Sequence, residues 1–306
     1  MTPADFGKVA VLLGGRAAER EISLVSGNAV LAGLRRRRVD AHPVDTAEAD
    51  ALDRLGRGGF ERAFIVLHGR GGEDGVIQGA LEALGIPYTG SGVLGSAAGM
   101  DKYRCKLIWR GAGLPTPESV ALRGPADLEA ATRLGFPVMV KPAHEGSSIG
   151  ISKADDAVAL KLAWEKARGY DNLVLAERWV SGGEYTAAIL QGEPLPLIKL
   201  ETPNAFYDFD AKYHADTTRY LIPCGLDASK ERELQALALA AFEAIGASGW
   251  GRVDFMLDEG WRPWLIEVNT VPGMTNHSLV PMAARARGID FDELVWRILG
   301  TSLNRP

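Results

Sequence analysis

The sequence is short of several things, and each shortage closes off a class of function. It has only two cysteines, Cys105 and Cys224, in 306 residues. They are far apart and match no disulfide or metal spacing, which points to a reducing compartment. Its five histidines, His42, His68, His144, His214 and His277, are scattered without helical ligand spacing, so no zinc site is expected. Positive charge is not in excess: 34 Lys and Arg stand against 39 Asp and Glu, a net charge of -5. A nucleic-acid partner would demand the opposite balance. No apolar run approaches the roughly 20 residues that span a bilayer. The opening MTPADFGKVAVLLGG lacks a charged-then-apolar export signal. The expectation is a cytoplasmic protein of two or three domains, at roughly 100–200 residues each. The local basic run Arg35 to Arg38 falls where a helix should end, and is read as a solvated helix terminus.

What is present has a clear order. The apolar run 9–13 ends in Gly14-Gly15 and precedes a helix over 23–36. The run 63–67 ends in His68-Gly69-Arg70-Gly71-Gly72 and precedes a helix over 75–84. Strand, glycine turn and helix, twice over, predict parallel strands with helical crossovers and ligands at the strands' carboxyl ends. From about residue 100 the pattern changes. Helices are expected at 101–110, 126–134 and 154–168, with strands at 138–141 and 173–180. The remainder reads as a hairpin (184–190 and 195–200), a long aperiodic segment (203–223), a helix (230–245), strands 252–257 and 264–269, and a last helix (291–299). The boundaries expected are 1–98, 99–182 and 183–306. A loop as long as 203–223 is usually functional or disordered, and its Phe206 to Tyr213 stretch suits a lid.

Chemistry concentrates near the carboxyl end. Residues i and i+2 of a strand share a face, so Arg252 joins Asp254, and Glu267 joins Asn269. If the strands pair, one Arg, two carboxylates and one amide converge. Crowded carboxylates are costly without a counter-ion, and an all-oxygen set suits magnesium. A charged wet face on a surface hairpin would look the same. The loop Glu145 to Gly150 is small and polar, with backbone N–H groups and two serines to cradle phosphates. Lys141 precedes it in VMVKP, and Lys102 lies in MDKYRCK. An ordinary Gly/Ser turn and a solvated helix lysine remain open for these. Glu19 opens a helix and by itself needs no role beyond the helix dipole. His68, Glu73 and Asp74 sit in the second glycine turn, where a base or a structural hydrogen-bond network fits equally.

Together the segments 9–23 (VAVLLGGRAAEREIS), 67–75 (LHGRGGEDG), 87–92 (PYTGSG), 100–102 (MDK), 140–152 (VKPAHEGSSIGIS), 207–213 (YDFDAKY), 249–256 (GWGRVDFM) and 266–281 (IEVNTVPGMTNHSLVP) resemble the D-alanine–D-alanine ligases of the ATP-grasp superfamily. The resemblance runs nearly the full length. It implies an α/β fold (an α+β composite): a Rossmann-like parallel-sheet domain followed by two ATP-grasp parts. It implies ATP and two Mg2+ ions, with Mn2+ a substitute, and a homodimer. Asp254, Glu267 and Asn269 would hold the metals. Lys102, Lys141, Ser147, Ser148, Lys212 and Asn269 would serve ATP, with Glu177, Arg178, Trp179 and Val180 around the adenine and Glu184 on the ribose. Glu19 and His68 would meet the first D-alanine; Lys212, Ser278 and Leu279 the second. Arg252 and the Gly273 N–H would form an oxyanion hole. Glu19, Ser147 and Tyr213 would link three parts of the chain when a lid closes. Competing implications are a D-alanine–D-lactate or D-alanine–D-serine ligase, or an ATP-binding regulator without turnover. Arg178 stands where relatives often have Lys. Ala143-His144 stands where many have Ser and Arg, which leaves the anchoring of the phosphate loop open.

Overall fold

The computed structural model describes residues 1–202, 218–275 and 277–304. Three sheets organise it. The first is parallel, with β1 (Lys8–Leu13) between β2 (Asp40–Asp45) and β3 (Arg62–Ile65). β1 is flanked on both sides, and its run VAVLL is buried throughout, as expected of a central parallel strand. The second is an antiparallel four-stranded sheet: β4 (Ser119–Leu122), β7 (Val174–Arg178), β5 (Val138–Pro142) and β6 (Ser152–Ala154), in that order. The third runs β11 (Arg219–Leu221), β10 (Ile198–Glu201), β8 (Gly182–Leu190), β12 (Trp250–Asp258), β13 (Pro263–Asn269), with β9 (Glu193–Pro194) also paired to β8.

Alternation along β8 divides the interior. Ala188 and Leu190 face the core of the parallel sheet, whereas Tyr185, Ala187 and Ile189 face a second core with Trp109, Phe242 and Phe255. A third core lies under the helix Ala157–Arg168, which packs Leu160, Ala163 and Trp164 on the four-stranded sheet. The first core is completed from afar: Leu294, Val295, Ile298 and Leu299 of the helix Phe291–Gly300 join Val9, Val30 and Leu34.

Several expectations change. The first helix is Arg20–Arg36, three residues earlier than the apolar period suggested. Its basic end is not merely solvated. Arg36 holds Asp292 through a two-pronged pair at 2.6 and 2.7 Å, Arg37 pairs with Glu293 at 2.7 Å, and Arg35 donates to the Ala41 carbonyl at 3.0 Å. Ala154 ends β6, and the following helix starts only at Ala157 because Asp156 caps it, accepting from Ala159 N–H at 2.8 Å. The segment expected to be aperiodic contains β11, while 203–217 lies outside the described residues. No described helix is long and apolar enough to cross a membrane.

Candidate functional site

The antiparallel register of β12 and β13 sets Arg252 against Asn269 and Asp254 against Glu267. On the other side of β12, Thr186 stands opposite Asp254. Asp254 is buried, and its carboxylate is fully engaged. Thr186 Oγ1 donates to Oδ1 at 2.6 Å, Arg252 donates through Nε and Nη2 at 2.8 and 2.7 Å, and Asn269 Nδ2 donates at 3.0 Å. Four donors compensate the burial of one charge. Glu267 is more open and pairs with Lys102 at 3.3 Å. Among the described residues no three His, Cys, Asp or Glu side chains converge as a metal-binding group. Two carboxylates and an amide oxygen nonetheless make a hard-donor set. Such a set would suit an ion that keeps waters and completes its shell with phosphate oxygens.

Glu267 borders two cavities. The first, about 690 Å³, gathers Glu19, His68, Ser147, Arg252, Gly273, Ser278 and Leu279. Glu19 stands at the N-cap of the helix Arg20–Arg36, with its carboxylate between two glycines. A methyl built on Gly69 or on Gly146 would lie 2.6 Å from one of its oxygens, so a side chain at either position would displace the carboxylate. Burial pushes the Glu19 carboxyl up, and the nearby Glu145 charge adds to this; its bond to Ser147 and the charge of Lys102 oppose it. His68 places Nδ1 2.9 Å from the Val271 carbonyl. Burial, joined by the Arg252 charge, lowers its pKa to about 4. The ring is therefore neutral, Nδ1–H donates, and the buried Nε2 lone pair has no hydrogen-bond partner among the described residues. Ser278 sits at the N-cap of the helix Leu279–Ala286 and accepts Thr275 N–H at 2.9 Å.

The second cavity, about 490 Å³, is bordered by Lys141, Ser148, Glu177, Arg178, Trp179, Val180 and Glu184, with Met139, Ile151, Met256 and Ile266 as apolar walls. The Gly146–Gly150 loop thus presents Ser147 to one cavity and Ser148 to the other. Lys102 lines neither. Its ammonium donates to the Glu145 carbonyl at 2.7 Å and meets Glu267, tying loop to carboxylate. Glu177 is buried at the cavity edge of β7, with its carboxylate held by two lysines. Lys141 pairs with one of its oxygens, and Lys106, fully buried, approaches the other at 2.8 Å. Lys106 also donates to Thr116 Oγ1 at 2.7 Å. Burial lowers the Lys106 pKa to about 8, while the two lysines outweigh burial and hold Glu177 below the usual range.

Lys212 and Tyr213 lie outside the described residues. The other residues that the resemblance assigns to the site border one of the two cavities or, like Lys102 and Asp254, touch one that does; Asp74 lines neither and accepts Gly71 and Val76 N–H within its own turn. Two neighbours, Lys106 and Thr186, were passed over, and the sequence leaves Glu73 open between a base and a hydrogen-bond network. Glu73 is half-buried at the edge of the first cavity, accepting Gly69 N–H at 2.8 Å and Val271 N–H at 3.2 Å. Burial foremost, with the Glu19 charge, pushes its carboxyl up to about 7. Lys106 carried a signal: it falls between Cys105 and Trp109 on the apolar face of its helix. Thr186 carried none, since its role depends on pairing 68 residues away.

Residues 52–91 match the family model described as D-ala D-ala ligase N-terminus, and 108–300 the model of the D-ala D-ala ligase C-terminus. A D-alanine–D-alanine ligase of Methylococcus capsulatus is 64% identical over 300 residues, which cover 98% of this chain and 97% of that one. A crystal structure of D-alanine–D-alanine ligase from Bacillus anthracis superposes with a TM-score of 0.87 at 36% identity, covering 97% of each chain. The same enzyme complexed with ATP gives 0.85 at 34% identity, covering 97% of this chain and 96% of that one.

Proposed function

This chain belongs to the D-alanine–D-alanine ligase family and joins two D-alanine molecules at the expense of ATP, for peptidoglycan precursors; we propose that the side chains of the two cavities divide that work as follows. ATP occupies the second cavity, its adenine against residues 177–180, its ribose near Glu184, and its phosphates reaching toward Glu267. Lys102, Lys141, Ser147 and Ser148 meet the phosphates. Asp254, Glu267 and Asn269 would hold magnesium, two ions in the family's pattern, whose charge would offset that of the triphosphate.

The first D-alanine sits in the larger cavity. Its ammonium faces the Glu19 carboxylate, whose burial without a cation is unfavourable, and the neutral His68 Nε2 offers it an acceptor. Its carboxylate oxygen attacks the γ-phosphorus, forming an O–P bond as the bridge to the β-phosphate breaks. The acyl phosphate so made has a good leaving group. The amine of the second D-alanine, deprotonated, then attacks the acyl carbon and phosphate departs. Ser278, Leu279 and Lys212 hold that second molecule's carboxylate. Arg252 and the Gly273 N–H face the oxygen on which negative charge grows, and removing one such donor typically costs about 100- to 1000-fold in rate. Glu19, Ser147 and Tyr213 join the parts of the closed site, which keeps water from the acyl phosphate. The units 1–98, 99–182 and 183–306 act together in a homodimer in the cytoplasm.

The observation that carries this reading is Glu267 between the cavities, within reach of Lys102, so that phosphate chemistry and amino-acid chemistry share one wall. The test is phosphate release with ATP, magnesium and D-alanine, with L-alanine as control and the product weighed by mass spectrometry. Phosphate without D-alanyl-D-alanine overturns it.

A further inference from the structure

The loop between the cavities starts at Glu145, and the side chain before it holds its root. His144 has both ring nitrogens on carboxylates: Nδ1 lies 2.8 Å from Asp171 Oδ2 and Nε2 3.0 Å from Asp101 Oδ2. Its backbone N–H donates to the same Asp171 oxygen at 2.7 Å. An ionised carboxylate only accepts hydrogen bonds, and neutral imidazole has a single N–H. A neutral ring would aim a lone pair at one of the two oxygens; only the imidazolium donates to both. Both carboxylates are fixed independently. Asp101 caps the helix Lys102–Gly111, accepting Arg104 N–H at 2.9 Å, and pairs with the Arg104 guanidinium. Asp171 accepts Leu173 N–H at 3.1 Å. Burial favours protonation of Asp101, but the bonds from His144 and Arg104 overcome it and hold the carboxyl at about 2.

Beyond this root the loop is strained. Ser147 (φ 53) and Ser148 (φ 59) are both in the left-handed region, which residues with a side chain adopt only where the surroundings hold them. Glu145 is the next tie: its carbonyl accepts from Lys102 at 2.7 Å and its carboxylate from Arg70 at 2.9 Å.

We propose that His144 is a positioning residue for the phosphate loop: its imidazolium, bridging Asp101 and Asp171, fixes where Ser147 and Ser148 meet the triphosphate. This rests on the reading above that the loop grips ATP. The charges around the ring come from Asp101 at the helix start, Asp171 in the turn after the helix Ala157–Arg168, and Glu145 beside it. Arg104 on Asp101, Arg70 at 3.8 Å from Asp171, and Lys102 behind Glu145 complete them. The Asp101 bond raises the His144 pKa above 6.5, burial opposes it, and the Asp171 charge supports it. The bridge is therefore complete below about pH 6.5 and is lost as pH rises through the raised value.

Steady-state ATP titrations of the full chain between about pH 6 and about pH 9.5 test this. His144→Gln should raise the KM for ATP about tenfold at pH 7, leave that for D-alanine within about twofold, and flatten the pH dependence. His144→Arg, charged at every pH, should keep the ATP KM near the wild-type value at about pH 7 and hold it at about pH 9.5, where the wild type's has risen. Proton NMR of the His144 ring needs no variant, and a midpoint at or below 6.5 overturns the proposal. So does an ATP KM for His144→Gln that matches the wild type at every pH. A wild-type chain with no turnover on ATP and D-alanine would instead sink the reading of the site itself.

Discussion

Glu267 can be changed with little risk to the fold, because it is partly open and its described partner is Lys102 at 3.3 Å. Glu267→Gln keeps the shape and removes the charge. We expect its metal-dependent turnover to fall by more than about 100-fold, with a melting temperature within about 3 °C of the wild type. Near-normal turnover would remove the metal assignment. Glu73 yields a pH signature. Its carboxyl is near 7 in the folded chain against 4.5 for a free one, so the folded state keeps a proton that the unfolded chain has released. The stability this proton contributes is full below about pH 4.5 and is lost as pH rises through 7. Glu73→Gln should therefore gain on the wild type in melting temperature between about pH 5 and about pH 8; parallel curves would count against a raised carboxyl. At this scale the sequence was legible where one strand decides the outcome. Two-residue spacing put Arg252 with Asp254 and Glu267 with Asn269, and the register then joined them. His144 was legible only as an oddity, because its partners are 43 and 27 residues away.

Among elements, the loop 145–150 shows how backbone and side chain constrain one another. Gly146 carries no unusual torsion; what a side chain there would disturb is Glu19, since a methyl would lie 2.6 Å from one of its oxygens. Gly146→Ala must displace either the Glu19 carboxylate or the loop, and so breaks the fit between them. We expect the rate to fall about 100-fold with melting hardly changed, as small misplacements of reacting groups can do. Equal loss of rate and of folded protein would mean that the glycine serves the fold instead. The strands and long helices were readable from their apolar periods, whereas their starts were set by caps. Asp156 shortens one helix, and Glu19 stands at the head of another that begins ahead of its apolar period. The pairing of β11 with β10 had no local signal, because three residues show no period.

For the whole molecule, the first core draws on both ends of the chain. Gly33 lets the helix Arg20–Arg36 approach Val295 so closely that an added methyl would sit 3.1 Å from its Cγ2. The arginines that follow clamp Asp292 and Glu293. A fragment of residues 1–98 therefore lacks Leu294, Val295, Ile298 and Leu299 from its interior. We expect it to show no cooperative melt by circular dichroism and to regain one when a peptide spanning 279–304 is added. A sharp transition without the peptide would show that the parallel sheet stands alone.

That shared core has a consequence for the nascent chain. Translation at about 5–20 residues per second leaves roughly 10 to 40 seconds between the parallel sheet's emergence from the ribosome and that of the helix which roofs it. Throughout that interval Val30 and Leu34 lack their covering. Synthesis must proceed with an unfinished oily seam on display, where chaperones bind and where neighbouring nascent chains can stick.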